Sequence, residues 1–399
     1  MRLKDVACVN LNTLDESTRG DYSFKYIDIS SVSFADGITL GEDIKFAEAP
    51  SRARRVVKKG DVLISTVRTY LRAIADIDWD AENIVASTGF AVFTPNKNVN
   101  TRFLAYAAKS TEVINQICAN SKGVSYPAIQ ASVLSSVVIP YFTISEQEAI
   151  AAYLDKECEK IGCEIVLLER KADAYNRLRR SLINQAVTRG INPNIPMKPS
   201  GLRWISQIPE HWEVGRIRNY FNFRNEKVSE IDFAPLSVTK NGVVPQMENV
   251  AKSLAEGDTR KKVCKNDFVV NSRSDRKGSC GTSPMDGSVS LIYIVLEPTH
   301  IDPTYADYYF RCNDWAEEFY RNGKGIVADL WTTNYSIMRN IEIAVPSIIE
   351  QKEIASYLDE KCGKIDAIIE KIEAKVERLK ELKRSLINEV VTGKRAINK

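Results

Sequence analysis

Two clusters of basic residues have the chemistry needed to bind phosphate groups. They surround two similar segments, VKKGDVLISTVR at 57–68 and VCKNDFVVNSR at 263–273, in which a tight turn leads into an apolar β-branched run. The clusters, with one tyrosine among them, consist of Arg52, Arg54, Arg55, Lys58, Lys59, Arg68, Tyr70 and Arg72, and of Arg260, Lys261, Lys262, Lys265, Arg273, Arg276 and Lys277. Such clusters are often only solvated surface. Their recurrence around two matching runs is better explained if both segments bind phosphates.

Catalytic and metal-binding patterns are not convincing anywhere in the sequence. His211 stands beside Trp212 with no second histidine nearby, which favours a packing role. DPTY at 302–305 resembles the motif with which amino-methyltransferases hold their target base, but Thr304 replaces its second proline. The eight cysteines show no CxxC spacing, so reduced and mostly buried thiols are expected rather than a zinc site. We predict no catalytic residue, no metal and no enzymatic activity in this chain.

Composition describes a soluble globular protein. The 399 residues are 44% hydrophobic and 27% charged, and their length suggests roughly two to three domains. No stretch approaches the ~18 apolar residues that span a bilayer, so we expect a cytoplasmic protein without membrane contact. The net charge of only +3 predicts that any contact with nucleic acid comes from local clusters rather than from a global field.

A long internal repeat organises the chain. RRSLINQAVTRG at 179–190 returns as KRSLINEVVTGK at 383–394, and residues 146–188 align with 350–392 without a gap. Both copies lack proline and contain only one glycine each, which predicts two continuous helices. In the first copy, Ser145 followed by Glu148 forms a capping-box pattern.

Apolar residues recur every seven positions in both copies, which is typical of a coiled coil. The predicted interface consists of Leu154, Ile161, Leu168, Tyr175 and Leu182 in the first copy and Leu358, Ile365, Ile372, Leu379 and Leu386 in the second. Each helix of 43 residues would be roughly 65 Å long, which is too long to bury its seam within one domain. We therefore expect the two copies to pack on each other within one chain, in preference to homodimerisation through the seams.

The segments before the helices read as two diverged globular domains. Each combines several strands, including one predicted at 87–95 and one at 288–298, with a short helix, RFLAYAAKS or YADYYFRCN. The predicted boundaries are a first α/β (α+β) domain at 1–144, a long helix at 145–190, a stiff, extended proline-rich connector at 191–212, a second domain at 213–346 and a second long helix at 347–394. Similar skeletons with different loops indicate one scaffold carrying two different surfaces.

This layout resembles the specificity subunit of type I restriction-modification systems. The resemblance rests on EQxxIAxYLD at each helix start, SLIN near each helix end and IPEHW before the second domain, and it covers essentially the whole chain. It implies two target recognition domains related by a pseudo-two-fold axis and joined by two long antiparallel helices that form an intramolecular coiled coil. The chain departs from the pattern at its start, where no IPxxW segment precedes the first domain.

The resemblance also implies partners. These are double-stranded DNA with a split, asymmetric recognition site, two methyltransferase subunits that use S-adenosylmethionine, and possible restriction or translocase subunits. By analogy with bidentate pairing to guanine or adenine, the base-reading candidates are Arg68, Arg273, Asn271 and Asn334, together with Lys122 and Tyr126 on a late loop and Lys324 on its counterpart. The alternative is a non-catalytic coiled-coil scaffold whose globular units bind proteins.

Overall fold

The chain divides into two compact units. The computed structural model describes residues 1–33, 37–80, 82–246, 259–273, 276–324 and 332–397. The first unit comprises Met1–Arg170 and Ile372–Lys399, and the second comprises Lys171–Lys371. Each unit therefore combines a globular part with segments of both long helices.

Two of the helices are much longer than the others. In chain order, the helices of the described residues are α1 (Leu3–Val6), α2 (Thr101–Ala108), α3 (Thr111–Ala119), α4 (Ala131–Leu134), α5 (Ile144–Arg189), α6 (Pro303–Arg311), α7 (Asn313–Arg321), α8 (Tyr335–Met338) and α9 (Ile348–Val391). Among them, no helix is both long and apolar enough to cross a membrane.

The strands of the first unit form two four-stranded sheets and a small two-stranded one. They are β1 (Ala7–Val9), β2 (Ser23–Ile27), β3 (Val32–Ser33), β4 (Gly37–Ile38), β5 (Asp43–Lys45), β6 (Ala53–Val56), β7 (Val62–Ser65), β8 (Ile74–Asp76), β9 (Ile84–Ser87) and β10 (Phe90–Pro95). The sheet orders are β1-β10-β7-β8, β5-β2-β9-β6 and β3-β4.

The second unit is also built from small sheets. Its strands are β11 (Met197–Pro199), β12 (Gln207–Pro209), β13 (Glu213–Arg216), β14 (Phe221–Arg224), β15 (Lys227–Val228), β16 (Leu236–Thr239), β17 (Gly242–Pro245), β18 (Arg260–Val263), β19 (Phe268–Asn271), β20 (Cys280–Thr282), β21 (Gly287–Ser290), β22 (Tyr293–Pro298) and β23 (Glu342–Val345). The sheet orders are β14-β22-β19-β20, β15-β18-β21, β13-β23, β16-β17 and β11-β12.

The main sheets of the two units have the same topology. The order β1-β10-β7-β8 corresponds to β14-β22-β19-β20, with antiparallel pairing at every step. Both apolar runs of the sequence form a central strand, β7 or β19, whose four residues are buried. The prediction of two mixed helix-and-sheet domains built on one scaffold is confirmed. The strand predicted at 87–95 corresponds to β10, preceded by a turn at residues 88–89 that separates it from β9. The single strand predicted at 288–298 is instead two strands, because a turn at residues 291–292 separates β21 from β22.

The turn before each central strand is stabilised in the same way. Gly60 and Asn266 adopt positive φ angles of 89° and 75°. The next residue, Asp61 or Asp267, is buried and accepts a hydrogen bond from the backbone N–H three positions earlier, at 2.8 Å and 2.7 Å. Burial raises the pKa of both carboxyl groups. The predicted tight turns are therefore present in both units.

Capping at the start of α5 differs from the prediction. The capping box consists of Thr143 and Glu146: the Thr143 N–H donates to the Glu146 carboxylate at 2.8 Å, and the Glu146 N–H donates to the Thr143 hydroxyl at 3.4 Å. The pattern read at Ser145 and Glu148 was wrong by two positions, because α5 begins at Ile144. A glycine with positive φ follows each long helix, Gly190 directly after α5 and Gly393 two residues after the end of α9, where the missing Cβ permits this conformation.

The long helices pack antiparallel in each unit. In the first unit, Leu154 near the start of α5 shares a buried cluster with Leu386 and Val390 near the end of α9. In the second unit, Ala186 near the end of α5 shares a cluster with Leu358 near the start of α9. Both observations confirm an intramolecular antiparallel pair. Within the seven-residue rows, the buried positions are Leu154, Leu358, Ile365, Ile372, Leu379 and Leu386, and the half-buried ones are Ile161, Leu168, Tyr175 and Leu182.

The connector at 191–212 folds back instead of remaining an extended spacer. Its strands β11 and β12 pair antiparallel, and the Ser200 hydroxyl donates to the carbonyl of Ile205 between them. At its end, Trp212 is completely buried against both helices of the second unit and donates from its indole N–H to Glu350 at 3.1 Å. His211 contacts the same carboxylate at 2.7 Å, so its role is the structural one predicted.

Candidate nucleic-acid interface

In the first unit, a turn and a late loop join into one surface. Beyond β7, the Arg68 N–H donates to the carbonyl of Pro127 at 2.8 Å, and the Ile129 N–H donates to the carbonyl of Thr66 at 2.8 Å. Ala128 forms isolated β-bridges with both Val67 and Lys122. Arg68 is thus brought to the loop of Lys122 and Tyr126, two other predicted base-reading residues, although it lies more than 50 positions before them in the sequence.

The turn itself has an unusual backbone. Thr69–Leu71 forms one turn of 3₁₀-helix, flanked by Arg68 with φ 49° and Arg72 with φ 53°. Left-handed conformations are uncommon for residues with a Cβ atom and often occur at functional sites. Between the two arginines, Tyr70 and Leu71 project outward with exposed fractions of 55% and 48%. The result is a fixed, solvent-facing tip that carries basic, aromatic and apolar groups.

In the second unit, different residues make the same connection between the end of the central strand and a late loop. Arg273 and Lys324 both form β-bridges with Thr332, and the Thr333 N–H donates to the carbonyl of Ser272 at 3.0 Å. By these bridges, Arg273 takes the place of Val67 rather than that of Arg68. Residues 274–275 of the turn and 325–331 of the late loop lie outside the described residues. Arg273 and Lys324 are exposed, and so is Arg276.

The basic residues before the first turn are only partly available to a ligand. Arg54 lies over the ring of Phe46 at 4.8 Å, Arg55 donates to the Thr13 hydroxyl at 3.1 Å, and Lys59 pairs with Asp80 at 3.1 Å. Burial lowers the pKa of Arg55. Arg52 and Lys58 are exposed. In this cluster, Arg52 and Lys58 are therefore the residues best placed for phosphate contacts.

The equivalent cluster in the second unit is largely occupied by internal contacts. Lys261 is only 9% exposed and donates to the carbonyl of Tyr293 at 2.7 Å, and burial lowers its pKa. Arg260 donates to the hydroxyl of Ser288 at 2.8 Å, and burial lowers its pKa as well. Lys262 pairs with Glu226 at 3.0 Å. In this conformation, the donor groups of Arg260 and Lys261 stabilise the sheet rather than face a phosphate.

The two asparagines also have local structural roles. The buried Asn271 accepts a hydrogen bond from the Arg273 N–H at 3.1 Å, and Asn334 caps α8 by accepting from the Ile337 N–H at 3.1 Å. Lys277 pairs with Glu317 at 2.6 Å and lies over the ring of Tyr320 at 4.7 Å. Asp302 of the DPTY motif accepts from the Thr304 N–H as the N-cap of α6, so this motif is a helix start.

The repeat also carries contacts that the sequence analysis did not assign. Asp155 and Asp359 of the two YLD motifs accept hydrogen bonds from Tyr106 and Tyr308 at 2.7 Å and 2.8 Å. Burial, reinforced by the carboxylate, raises the pKa of both tyrosines. The sequence contained a signal for these contacts, because an Asp occupies the same position in both copies of the repeat. Each long helix is thus attached to the globular part of its unit by a matched polar contact.

Known proteins resemble this chain in sequence. The family described as type I restriction modification DNA specificity domain matches residues 1–164. Two relatives from Methanocaldococcus jannaschii, named as the type I restriction enzyme MjaX and MjaVIII specificity subunits, are 25% and 22% identical over 98% and 96% of this chain and 92% and 88% of their own. Over nearly its whole length, the chain is therefore similar to specificity subunits of type I restriction-modification systems.

Solved structures agree with this family at the level of the fold. A chain from a study of complex assembly and conformational transition of the type I R-M system superposes with a TM-score of 0.71 at 20% identity, covering 98% of this chain and 97% of that one. The HsdS subunit from Thermoanaerobacter tengcongensis gives 0.50 at 20% identity, covering 98% and 96%. The duplicated arrangement described above is therefore the fold of a specificity subunit.

Proposed function

We propose that this specificity subunit reads a bipartite, asymmetric DNA site, one half with each unit, and docks two methyltransferase subunits. It performs no chemistry itself. The methyltransferase partners supply the S-adenosylmethionine-dependent transfer of a methyl group to adenine. Restriction or translocase subunits join the same assembly where the system includes them.

One observation carries the proposal: the two units have the same backbone arrangement after the central strand, but they display different side chains there. Both join the end of a central strand to a late loop through paired bridges, at Ala128 in one unit and Thr332 in the other. The side chains displayed there differ, because Val67 occupies the place that Arg273 has in the second unit. A shared frame implies the same mode of approach to DNA, and unlike side chains imply unlike half-sites.

Two matched clefts support docking of two identical partners. The cleft in the first unit has a volume of about 770 Å³ and is lined by Tyr106, Lys383 and Ile387 among others. The cleft in the second unit has a volume of about 560 Å³ and is lined by the equivalent residues Tyr308, Arg179 and Ile183. In both units, the cleft lies between the short domain helix and the C-terminal part of a long helix. Equivalent surfaces on a duplicated chain suit two copies of one partner.

Methylation mapping tests the proposal. The chain alone should bind DNA weakly and methylate nothing. After assembly with its cognate methyltransferase and addition of S-adenosylmethionine, it should direct adenine methylation to a site with two specified halves and an unspecified gap. Sequencing of methylated genomic DNA from a host that lacks other adenine methylation gives the motif directly. A single contiguous motif would contradict the two-reader proposal.

Salt dependence separates this function from a protein-binding scaffold. Phosphate contacts weaken steeply as salt concentration rises, because DNA binding releases condensed counterions. We expect retention of the assembled complex on duplex DNA to fall strongly between 50 mM and 200 mM salt. A scaffold whose globular units bind only proteins would show no specific retention at either concentration.

A further inference from the structure

We propose that Arg68 is a specificity-determining residue that reads a guanine in the half-site bound by the first unit, with Tyr126 as its positioning residue. This assignment rests on the proposed function. It goes further by naming the base that is read, the residue that reads it and the aromatic ring that orients this residue. It is carried by the geometry of the Arg68–Tyr126 pair and by the backbone that holds it.

An aromatic ring orients the guanidinium of Arg68 without using its N–H groups. Its central carbon lies 4.7 Å from the centroid of the Tyr126 ring. Within the described part of the chain, no carboxylate or carbonyl accepts a hydrogen bond from this guanidinium. Stacking uses the face of the cation and leaves the N–H groups at its edge available. Guanine presents the O6 and N7 acceptors in the major groove, and a planar fork of N–H donors matches them.

The backbone fixes the position of this fork. Arg68 is held in the left-handed region with φ 49° and ψ 48°. Its N–H donates to the carbonyl of Pro127, the neighbour of Tyr126, so the arginine and the ring that it covers belong to one rigid joint. The hydroxyls of Thr69 and Ser121, 3.0 Å apart, link the same two segments again. A reader of base edges needs this fixed orientation, whereas a residue that only neutralises a phosphate does not.

The surroundings favour a base edge over a phosphate. Next to Arg68, Tyr70 and Leu71 are exposed apolar side chains, and Val124 on the late loop is completely exposed. Apolar groups suit contacts with bases, including the thymine methyl group, and gain nothing from a phosphate. Arg54 offers a contrast: it also lies over an aromatic ring, but it donates to the carbonyl of Ala53 and so has a structural partner.

Binding to a set of duplexes tests the assignment. The complex of this chain with its cognate methyltransferase is titrated with the duplex that it methylates, and with duplexes in which each guanine of the site is replaced in turn. We expect the wild-type complex to discriminate at one of these guanines by roughly tenfold to a hundredfold, and Arg68→Ala to abolish discrimination at that guanine alone. Arg68→Lys should also abolish it, because an ammonium keeps the charge without the planar fork.

Two further variants separate positioning from folding. Tyr126→Phe keeps the aromatic face and should keep the discrimination, whereas Tyr126→Leu should reduce it at the same guanine. Arg52→Ala, which removes an exposed basic residue of the approach cluster, should weaken binding to all duplexes by one common factor. Thermal unfolding of each variant shows whether the first unit remains folded.

A phosphate contact at Arg68 would give a different pattern. In that case, Arg68→Ala weakens all duplexes equally and lowers the slope of log Kd against log salt by about 1, which overturns the assignment. A loss of discrimination spread over both half-sites would overturn it as well. A wild-type complex without any sequence discrimination would instead refute the proposed function itself, so the two failures are distinguishable.

Discussion

Gln351 accepts a hydrogen bond from the backbone N–H of Asp302 at 2.7 Å, and its amide group donates to the carbonyl of Pro346 at 2.9 Å. Gln147 makes the equivalent pair of bonds in the first unit, with Asn100 at 2.9 Å and Phe142 at 2.8 Å. Both glutamines are only 1% exposed. The EQ pair of the repeat therefore fastens the N-terminus of a domain helix to the start of a long helix in each unit.

Replacing Gln351 should destabilise the second unit. Gln351→Leu leaves the Asp302 N–H and the Pro346 carbonyl without partners in a buried place, and we expect a loss of about 2–4 kcal/mol. Urea unfolding followed by tryptophan fluorescence reports on this unit through Trp204, Trp212 and Trp315. Gln185→Leu, at an exposed position of α5, is the control and should change stability by less than about 0.5 kcal/mol. Equal effects of the two substitutions would contradict the role of Gln351.

Two glycines of the long helices should respond in opposite directions to alanine. Gly363 lies inside α9 with open space around it, so Gly363→Ala should stabilise the chain by about 0.5–1 kcal/mol. Gly190 has φ 76°, and an added Cβ would lie 3.4 Å from the Glu350 carboxylate, so Gly190→Ala should cost about 1–2 kcal/mol. Differential scanning calorimetry of the two variants measures both signs, and shifts in the same direction would contradict the helix-end geometry.

Arg102 should be important for the stability of the first unit. Its guanidinium donates to Asp76 at 2.8 Å and to Asp155 at 2.5 Å, and the Asp76 side chain is only 7% exposed. Arg102→Met leaves a buried carboxylate without its partner, and we expect a loss of about 2–3 kcal/mol. Arg19→Met removes an ion pair with Asp21 at the surface, where the two side chains are 84% and 64% exposed, and should change stability by no more than about 0.5 kcal/mol. Calorimetric unfolding compares the two, and a similar loss from both would argue against a structural role for the buried pair.

Leu167 tests the proposed docking cleft. This residue of α5 is 64% exposed and lines the cleft of the first unit. Leu167→Asp places a charge on an apolar docking surface, so native mass spectrometry should show one bound methyltransferase instead of two. Leu178→Asp, on the same helix and 52% exposed, lines neither cleft and should retain two. Two partners on the Leu167 variant would place docking elsewhere.

Longer helices should widen the gap in the recognised site. Inserting seven helix-forming residues after Arg170 and seven after Lys371 preserves the seven-residue seam and lengthens each helix by about 10 Å. The gap in the methylated motif should grow by about three base pairs, at roughly 3.4 Å each, while both half-sites stay the same. Insertion into one helix alone shifts the seam out of register and should prevent assembly. An unchanged gap in the double insertion would contradict a spacing role for the helices.

The sequence by itself determined the two long helices, their pairing with each other and the duplicated scaffold. Seven-residue periodicity is a local property, and a 43-residue helix with an apolar seam must bury that seam against a partner. The repeated motifs and the two turn-and-strand segments were equally visible, because each depends on residue types at fixed spacing.

Only the tertiary structure decided which basic side chains have N–H groups available to bind a ligand. Lys261 and Arg68 are both basic residues of the two predicted clusters, yet Lys261 donates to the carbonyl of Tyr293 whereas the Arg68 guanidinium is stacked on Tyr126 with its edge open. Both outcomes depend on partners that lie 32 and 58 positions away along the chain and arrive there only through strand pairing and loop closure. The residue type determines the charge of a side chain. Whether that charge is available to a ligand depends on the groups that the folded chain places within hydrogen-bonding distance of it.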